Sequence, residues 1–146
     1  MSVKLNHRVN READPASDRH RVWMIDTTLR DGEQAPGVSF DRATKLRIAR
    51  RLAEAGVDEL EVGTPAMGPA VKRDIRALSE LDLDCRLTSW CRALKTDLEL
   101  AVRCGTTGVH ISFPVSPILM RTMDKSQAWV LDQLDTLVAV SLLQPQ

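Results

Sequence analysis

The chain has 146 residues, of which 43% are hydrophobic and 27% charged, and this composition is typical of one folded domain. Lys and Arg together number 20, as do Asp and Glu, so the zero net charge gives no electrostatic reason to expect nucleic acid or an anionic membrane as a partner. No apolar run reaches the roughly 18 residues of a membrane span or resembles a secretion signal, so we expect a cytoplasmic protein.

The chain begins with a stretch that has no sign of regular structure. Residues 1–21 are polar, charged and without hydrophobic periodicity, which predicts a disordered leader. Residues 22–146 then form the folded domain. The three cysteines of that domain match no zinc-binding spacing, and we expect them to be reduced thiols.

Beyond the leader, four short apolar runs alternate with four amphipathic helical patterns. The first helical pattern follows Asp41, a residue type favoured as an N-cap. The fourth follows Ser126, and its predicted apolar side comprises Leu131, Leu134 and Val138. The apolar runs, which predict strands, are "VWMID" at 22–26, "DELEVG" at 58–63, "CRLTSW" at 85–90 and "GVHISF" at 108–113.

The alternation of strands and helices places the chain in the α/β class. It predicts parallel strands joined by right-handed crossovers. Two architectures fit this pattern: an open doubly wound sheet, or part of a (β/α)8 barrel. A complete barrel usually needs about 250 residues, so four β/α units are half of one.

A dense polar segment, "DTTLRDGEQ" at 26–34, follows the first predicted strand directly. In both architectures the chemistry takes place at the carboxyl ends of the strands, so this segment predicts a site. The alternative is that Asp26 and Arg30 pair with each other and merely close the strand end.

Three other residues lie on or near the later strands. Glu61 alternates with apolar neighbours and points either into a barrel mouth or to solvent. Arg92 either holds an anionic substrate or forms a surface salt bridge. His110 comes early in its strand, which favours a packed or hydrogen-bonded histidine over a catalytic one.

Four segments together resemble one enzyme family. They are "DTTLRDGEQAPGVSF", "ELEVGTPAMG", "LTSWCR" and "HISFPVSPI". Over about residues 22–138 they resemble the homocitrate synthase / 2-isopropylmalate synthase family, most of all its nitrogen-fixation homocitrate synthases, which make the organic acid of the nitrogenase cofactor. The resemblance implies the N-terminal half of a (β/α)8 TIM barrel. It also implies an acyltransferase that condenses acetyl-CoA with 2-oxoglutarate; the alternatives within the family are 2-isopropylmalate and citramalate synthesis.

The resemblance also implies roles for individual residues. Asp31 would be a ligand of a divalent metal, Mg2+ or Mn2+, and Arg30 would stabilise the developing alkoxide. Gln34 and Glu61 match active-site positions that contact the metal-bound substrate or its waters, with Glu61 counted among the catalytic residues. Arg92 would bind the substrate. Glu33 belongs to the motif, and we expect it to form a structural salt bridge.

The sequence departs from the family pattern in two ways. The lysine-pathway homocitrate synthases carry a His soon after the Arg of the third strand, and "CRALKTD" contains none. The His-x-His pair that supplies the remaining metal ligands is also absent, since the histidines are His7, His20 and His110.

We therefore expect a fragment that is inactive alone and that forms a homo-oligomer or needs a second chain to complete the barrel. The final segment "LVAVSLLQPQ" suggests a premature stop or a frameshift. The alternative of another class is a non-catalytic half-barrel subunit or a pseudogene product.

Overall fold

The computed structural model describes residues 22–142, so the predicted leader at 1–21 lies outside the described part of the chain, as do residues 143–146. The four predicted strands form one parallel sheet in the order β1-β2-β3-β4. They are β1 (Ile25–Asp26), β2 (Glu59–Glu61), β3 (Arg86–Arg92) and β4 (Gly108–Ser112).

The strand order decides between the two predicted architectures. Each strand pairs in parallel with the strand before it in the chain, and the order does not reverse within the described sheet. A doubly wound sheet reverses its order at a switch point, whereas the strands of a (β/α)8 barrel follow one another around the barrel. The fold is therefore that of a partial α/β barrel, as the sequence predicted.

Five helices accompany the strands in the described residues. The predicted N-cap Asp41 is confirmed, since its Oδ1 accepts a hydrogen bond from the N–H of Thr44 (2.7 Å). Ser126 is confirmed in the same way, with its Oγ accepting from the N–H of Trp129 (3.1 Å). The helices are α1 (Arg42–Glu54), α2 (Pro69–Ser79), α3 (Lys95–Val102), α4 (Pro117–Thr122) and α5 (Gln127–Leu142).

Helix α4 was not predicted, although the sequence carries a signal for it. Ser116 accepts a hydrogen bond from the N–H of Leu119 (3.1 Å), and Pro117 occupies the first turn. A Ser followed by a Pro is a common helix start, because Ser caps the exposed N–H groups and Pro has none to satisfy.

The predicted apolar side of α5 is wrong. Leu131, Leu134 and Val138 are exposed, whereas Leu137 is buried and Trp129 packs with it against the sheet. This helix is apolar on more than one side, so hydrophobic periodicity alone could not tell which side faces the sheet.

The main core lies between the sheet and helices α1 and α2. Alternation along β2 sends Leu60 into this core and leaves Glu59 and Glu61 on the opposite face of the sheet. Just after β2, Gly63 has φ +144°, and a Cβ there would lie 3.3 Å from Ile75. Glycine thus lets the chain pass close over α2 at the strand end.

A second, smaller cluster lies under α3 and α5. Its buried members are Ala93, Leu98 and Leu137, and Ile111 of β4 packs against them. None of the described helices is both long and apolar enough to cross a membrane.

Candidate active site

The polar segment after β1 folds into a tight turn. The carbonyl oxygen of Thr27 accepts hydrogen bonds from the N–H groups of Arg30 (3.0 Å), Asp31 (2.8 Å) and Gly32 (3.2 Å). A short 3-10 helix, Gly32–Gln34, continues from there. Asp26 accepts from the N–H and the hydroxyl of Thr28 (2.9 and 3.2 Å), so the alternative pairing of Asp26 with Arg30 is not the one formed.

The turn is anchored in the main core by one apolar side chain. Leu29 is 2% exposed and packs among the buried residues beneath α1 and α2. Its neighbour Arg30 therefore starts from a fixed backbone position at the carboxyl end of the sheet. A site built on such a position needs little reorganisation to bind a ligand.

Arg30 is held by three contacts on different elements. Its Nε donates to Glu61 of β2, its Nη1 donates to Asp31 (2.8 Å), and its guanidinium lies 5.6 Å from the ring centroid of Trp90 on β3. A cation over an aromatic face and a salt bridge together fix the direction of the guanidinium plane. We call Arg30, Asp31, Glu61, Trp90 and His110 the mouth cluster.

Glu61 is the central acceptor of the mouth cluster. It is 1% exposed, with Oε1 accepting from Arg30 and Oε2 lying 2.8 Å from Nδ1 of His110. A carboxylate can only accept a hydrogen bond, so Nδ1 of His110 carries the hydrogen and donates it to Glu61. The other ring nitrogen, Nε2, takes no part in this contact. The contacts seen for Glu61 orient Arg30 and His110, and its predicted direct contact with substrate stays a prediction.

His110 confirms the prediction of a hydrogen-bonded histidine, but its partner could not be foreseen. Glu61 of β2 pairs in register with Thr88 of β3, and His110 of β4 pairs with Trp90 of β3. The side chains of Glu61 and His110 therefore meet across β3, on the face of the sheet opposite the main core. Only the strand order and register bring them together. Trp90 was missed for the same reason.

Asp31 and Gln34 lie on the open side of the turn. The side chain of Asp31 is 62% exposed, and Gln34 is exposed on the 3-10 helix. Within residues 22–142, no three His, Cys, Asp or Glu side chains come together as a metal-binding group. Asp31 is thus the one predicted metal ligand among the described residues. Proteins hold Mg2+ or Mn2+ with several oxygen ligands, so a single carboxylate that is paired with Arg30 does not fit a complete metal centre.

Arg92 is engaged by a carboxylate of the protein. Its Nε and Nη2 donate to Oδ2 and Oδ1 of buried Asp97 (2.8 and 3.0 Å). The hydrogen bonds and charge of Asp97 raise the pKa of Arg92. The contact is bidentate and ties the end of β3 to α3, and the predicted contact of Arg92 with a substrate stays a prediction.

Glu33 forms the structural salt bridge that was predicted for it. Its Oε2 lies 2.9 Å from Nζ of Lys45, and its Oε1 accepts from the N–H of Phe40 (3.2 Å). Lys45 also lies 3.3 Å from Asp74 of α2. The turn is therefore tied to the helical layer as well as to the sheet.

Comparison with known proteins assigns the chain to a family. A family model described as HMGL-like matches residues 21–142. The chain belongs to the HMGL-like family. The match extends the sequence resemblance, which was seen to about residue 138, through the whole of the described α5.

Curated relatives share this part of the HMGL-like family. Homocitrate synthase 1 of Nostoc sp. is 50% identical over 99 residues, which cover 68% of this chain and 26% of that protein. 2-Isopropylmalate synthase 2 of Caldanaerobacter subterraneus is 41% identical over 114 residues, 77% of this chain and 30% of that protein. Homocitrate synthase subunit alpha of Clostridium pasteurianum is 37% identical over 122 residues, 83% of this chain and 45% of that protein. The chain thus spans between a quarter and a half of the length of these relatives.

Arg30 is the guanidinium of the mouth cluster, and it is paired with the carboxylates of Asp31 and Glu61. Arg30 is preorganised by buried Glu61, and it lies at the carboxyl end of the strands, where ligands of α/β barrels bind. A fixed cation stabilises an oxyanion without moving during the reaction. The arrangement therefore suits a reaction in which a carbonyl oxygen becomes an alkoxide.

Proposed function

We propose that the chain is part of an acyltransferase that condenses acetyl-CoA with 2-oxoglutarate to give homocitrate. The observation that carries the proposal is Arg30, clamped by Glu61 and Trp90 beside the exposed carboxylate of Asp31. The homocitrate synthases among the relatives support the choice of oxo acid. Since the chain spans less than half the length of these relatives, the activity would belong to a longer polypeptide or to an assembly of several chains.

In the proposed reaction, the methyl carbon of the acetyl thioester loses a proton and attacks the ketone carbon of the oxo acid. The ketone oxygen becomes an alkoxide, which Arg30 would stabilise and which takes up a proton, in place of the one lost by the methyl carbon, to give the hydroxyl group; water then hydrolyses the thioester to a carboxylate and the free thiol of coenzyme A. Glu61 would keep the Arg30 guanidinium in place throughout. Asp31 remains the proposed contact for a divalent ion whose other ligands lie outside residues 22–142, and Gln34 the proposed contact for the bound substrate.

A chimeric enzyme tests this function. The 99 residues of the chain that match the Nostoc homocitrate synthase 1 would replace their counterpart in that enzyme, and thiol release from acetyl-CoA would be measured with Mn2+ and each oxo acid. We expect turnover with 2-oxoglutarate and a loss of at least about 100-fold in the Arg30→Met chimera, the usual scale for removing an oxyanion contact. A folded chimera without turnover on any oxo acid would contradict the proposal.

The same assay separates the alternatives within the family. Turnover with a branched 2-oxo acid would favour 2-isopropylmalate synthesis, and turnover with pyruvate would favour citramalate synthesis. The 146-residue chain alone should release no thiol.

A half-barrel subunit is the second candidate. It is favoured by the two edges of the described sheet, β1 and β4, and by the exposed apolar residues Met24 and Ile25 along the β1 edge. Parallel edge strands tend to recruit further strands. We infer that another copy or another chain covers them. Light scattering coupled to size exclusion should show an oligomer, and a stable monomer with a sharp melting transition would contradict this inference.

A further inference from the structure

One buried cation of the described chain lies outside the mouth cluster but is linked to it. Lys45 of α1 is 7% exposed, and its Nζ lies 2.9 Å from Glu33 and 3.3 Å from Asp74. A buried ammonium group is costly unless it is paired and hydrogen-bonded, and these two carboxylates supply that pairing.

The contact with Glu33 reaches the site turn itself. Glu33 is the middle residue of the 3-10 helix Gly32–Gln34, between Asp31 and Gln34. Its other carboxylate oxygen accepts from the N–H of Phe40 (3.2 Å), just before α1 begins. The carboxylate therefore closes the loop from 33 to 40 onto the start of the helix that carries Lys45.

The contact with Asp74 fixes Lys45 in turn. Asp74 lies on α2 and also accepts from Nε of Arg42 (2.8 Å). The chain of contacts thus runs from the site turn through α1 to α2, and both helices pack on the main core. Arg42 shares Asp74 with Lys45 but has no contact with Glu33 among those found for it.

We propose that Lys45 is a positioning residue, which holds the turn bearing Arg30, Asp31 and Gln34 in the conformation that binds substrate. This inference rests on the proposed function for the identity of the substrate, but not for the effect on the turn. A merely structural ion pair would change global stability alone. A positioning residue changes the opening of the turn while the sheet stays closed.

Hydrogen exchange on the full chain tests the proposal, read out by mass spectrometry over a peptide that spans residues 27–36. In Lys45→Met, we expect the turn amides that bond to Thr27 and Asp31 to exchange at least about 10-fold faster, with β3 amides unchanged. Arg42→Met is the matched control, because it removes a second cation from Asp74 and leaves the contact with Glu33; its turn should exchange as in the wild type. Glu33→Gln should reproduce the faster exchange.

Two outcomes would overturn the proposal. One is faster exchange that is equal in the turn and in β3, which would mean a structural role only. The other is an unchanged turn in Glu33→Gln, which decides the matter even if Lys45→Met does not fold. Exchange of the chimeric enzyme with 2-oxoglutarate and Mn2+ separates this inference from the proposed function: lack of protection of the turn in the chimera would count against the function, while the effect of Lys45 on the free turn of the chain would stand.

Discussion

The helix-facing side of the sheet differs between its two halves. Under α1 and α2 the core joins residues of β2, β3 and both helices, including Leu60, Ile75 and Leu87. Under α3 and α5 the buried cluster is small, and α5 leaves Leu131 and Leu134 exposed. The site turn is anchored in the first half, so the part of the fold that holds the mouth cluster is also the better packed.

The largest effect on stability is expected when a buried side chain is truncated to alanine, and the two cores should differ in how much they lose. Ile75→Ala should lower the free energy of unfolding by about 4 kcal/mol, since Ile75 is fully buried in the main core. Leu137→Ala in the smaller cluster should cost about 2 kcal/mol, because its exposed surroundings can close over the cavity. Urea denaturation measures both, and equal losses would show that the two halves are equally packed.

A smaller effect is expected where the chain leaves β2. Gly63→Ala should cost about 2–3 kcal/mol, because alanine is strained at φ +144° and its Cβ would lie 3.3 Å from Ile75. Gly37→Ala is the control: it has φ +79° with no atom within 4 Å of the new Cβ, and it should cost about 1 kcal/mol. If urea denaturation shows the same loss of unfolding free energy in both variants, the contact of the added Cβ with α2 does not affect stability.

The ion pairs between α1 and α2 should add a pH-dependent contribution. Burial raises the pKa of Asp74, but hydrogen bonds and charges from Arg42 and Lys45 outweigh burial and bring the pKa below the usual 3.8. The contribution is therefore present above the unfolded pKa and is lost as the pH falls through the lower, folded pKa.

Asp74→Asn should consequently lose at most about 1 kcal/mol at pH 7, since Arg42 is half exposed, and less still near pH 3. Urea denaturation at the two pH values gives the comparison. Glu54→Gln, which breaks an exposed pair with Arg51, should change stability little at either pH. A loss in Asp74→Asn that is the same at both pH values would argue against the ion pairs.

The smallest effect concerns reactivity rather than stability. Burial raises the pKa of the Cys91 thiol to about 12, with the charge of Asp97 adding to the effect, and burial beside Asp84 raises that of Cys85 to about 11. Both should react slowly with iodoacetamide at pH 8, because the thiolate is the nucleophile. Mass spectrometry should find half-buried Cys85 modified before buried Cys91, and the reverse order would contradict the packing under β3.

The sequence predicted local features of the fold better than the contacts between elements. The four strands and the caps Asp41 and Ser126 follow from residue types whose preferences act over a few positions. The side of α5 that faces the sheet depends on tertiary packing, and the prediction of Leu131, Leu134 and Val138 was wrong for that reason.

The candidate site shows the same division. The turn at Arg30 and Asp31 could be located from its polarity and its place after a strand. The partners of Arg30 could not, because Glu61 and Trp90 reach it only through the register of three parallel strands. The bidentate pair of Arg92 with Asp97 likewise needed the position of α3.

The burial of Leu29 between Thr28 and Arg30 has a consequence for ligand binding. Complete detachment of the turn from the sheet would expose this core side chain and is therefore coupled to unfolding of the main core, whereas local opening of the turn amides after Leu29 leaves the side chain buried. A ligand captured by Arg30 would then raise the melting temperature of the whole first half of the sheet, by an amount that grows with the logarithm of its concentration.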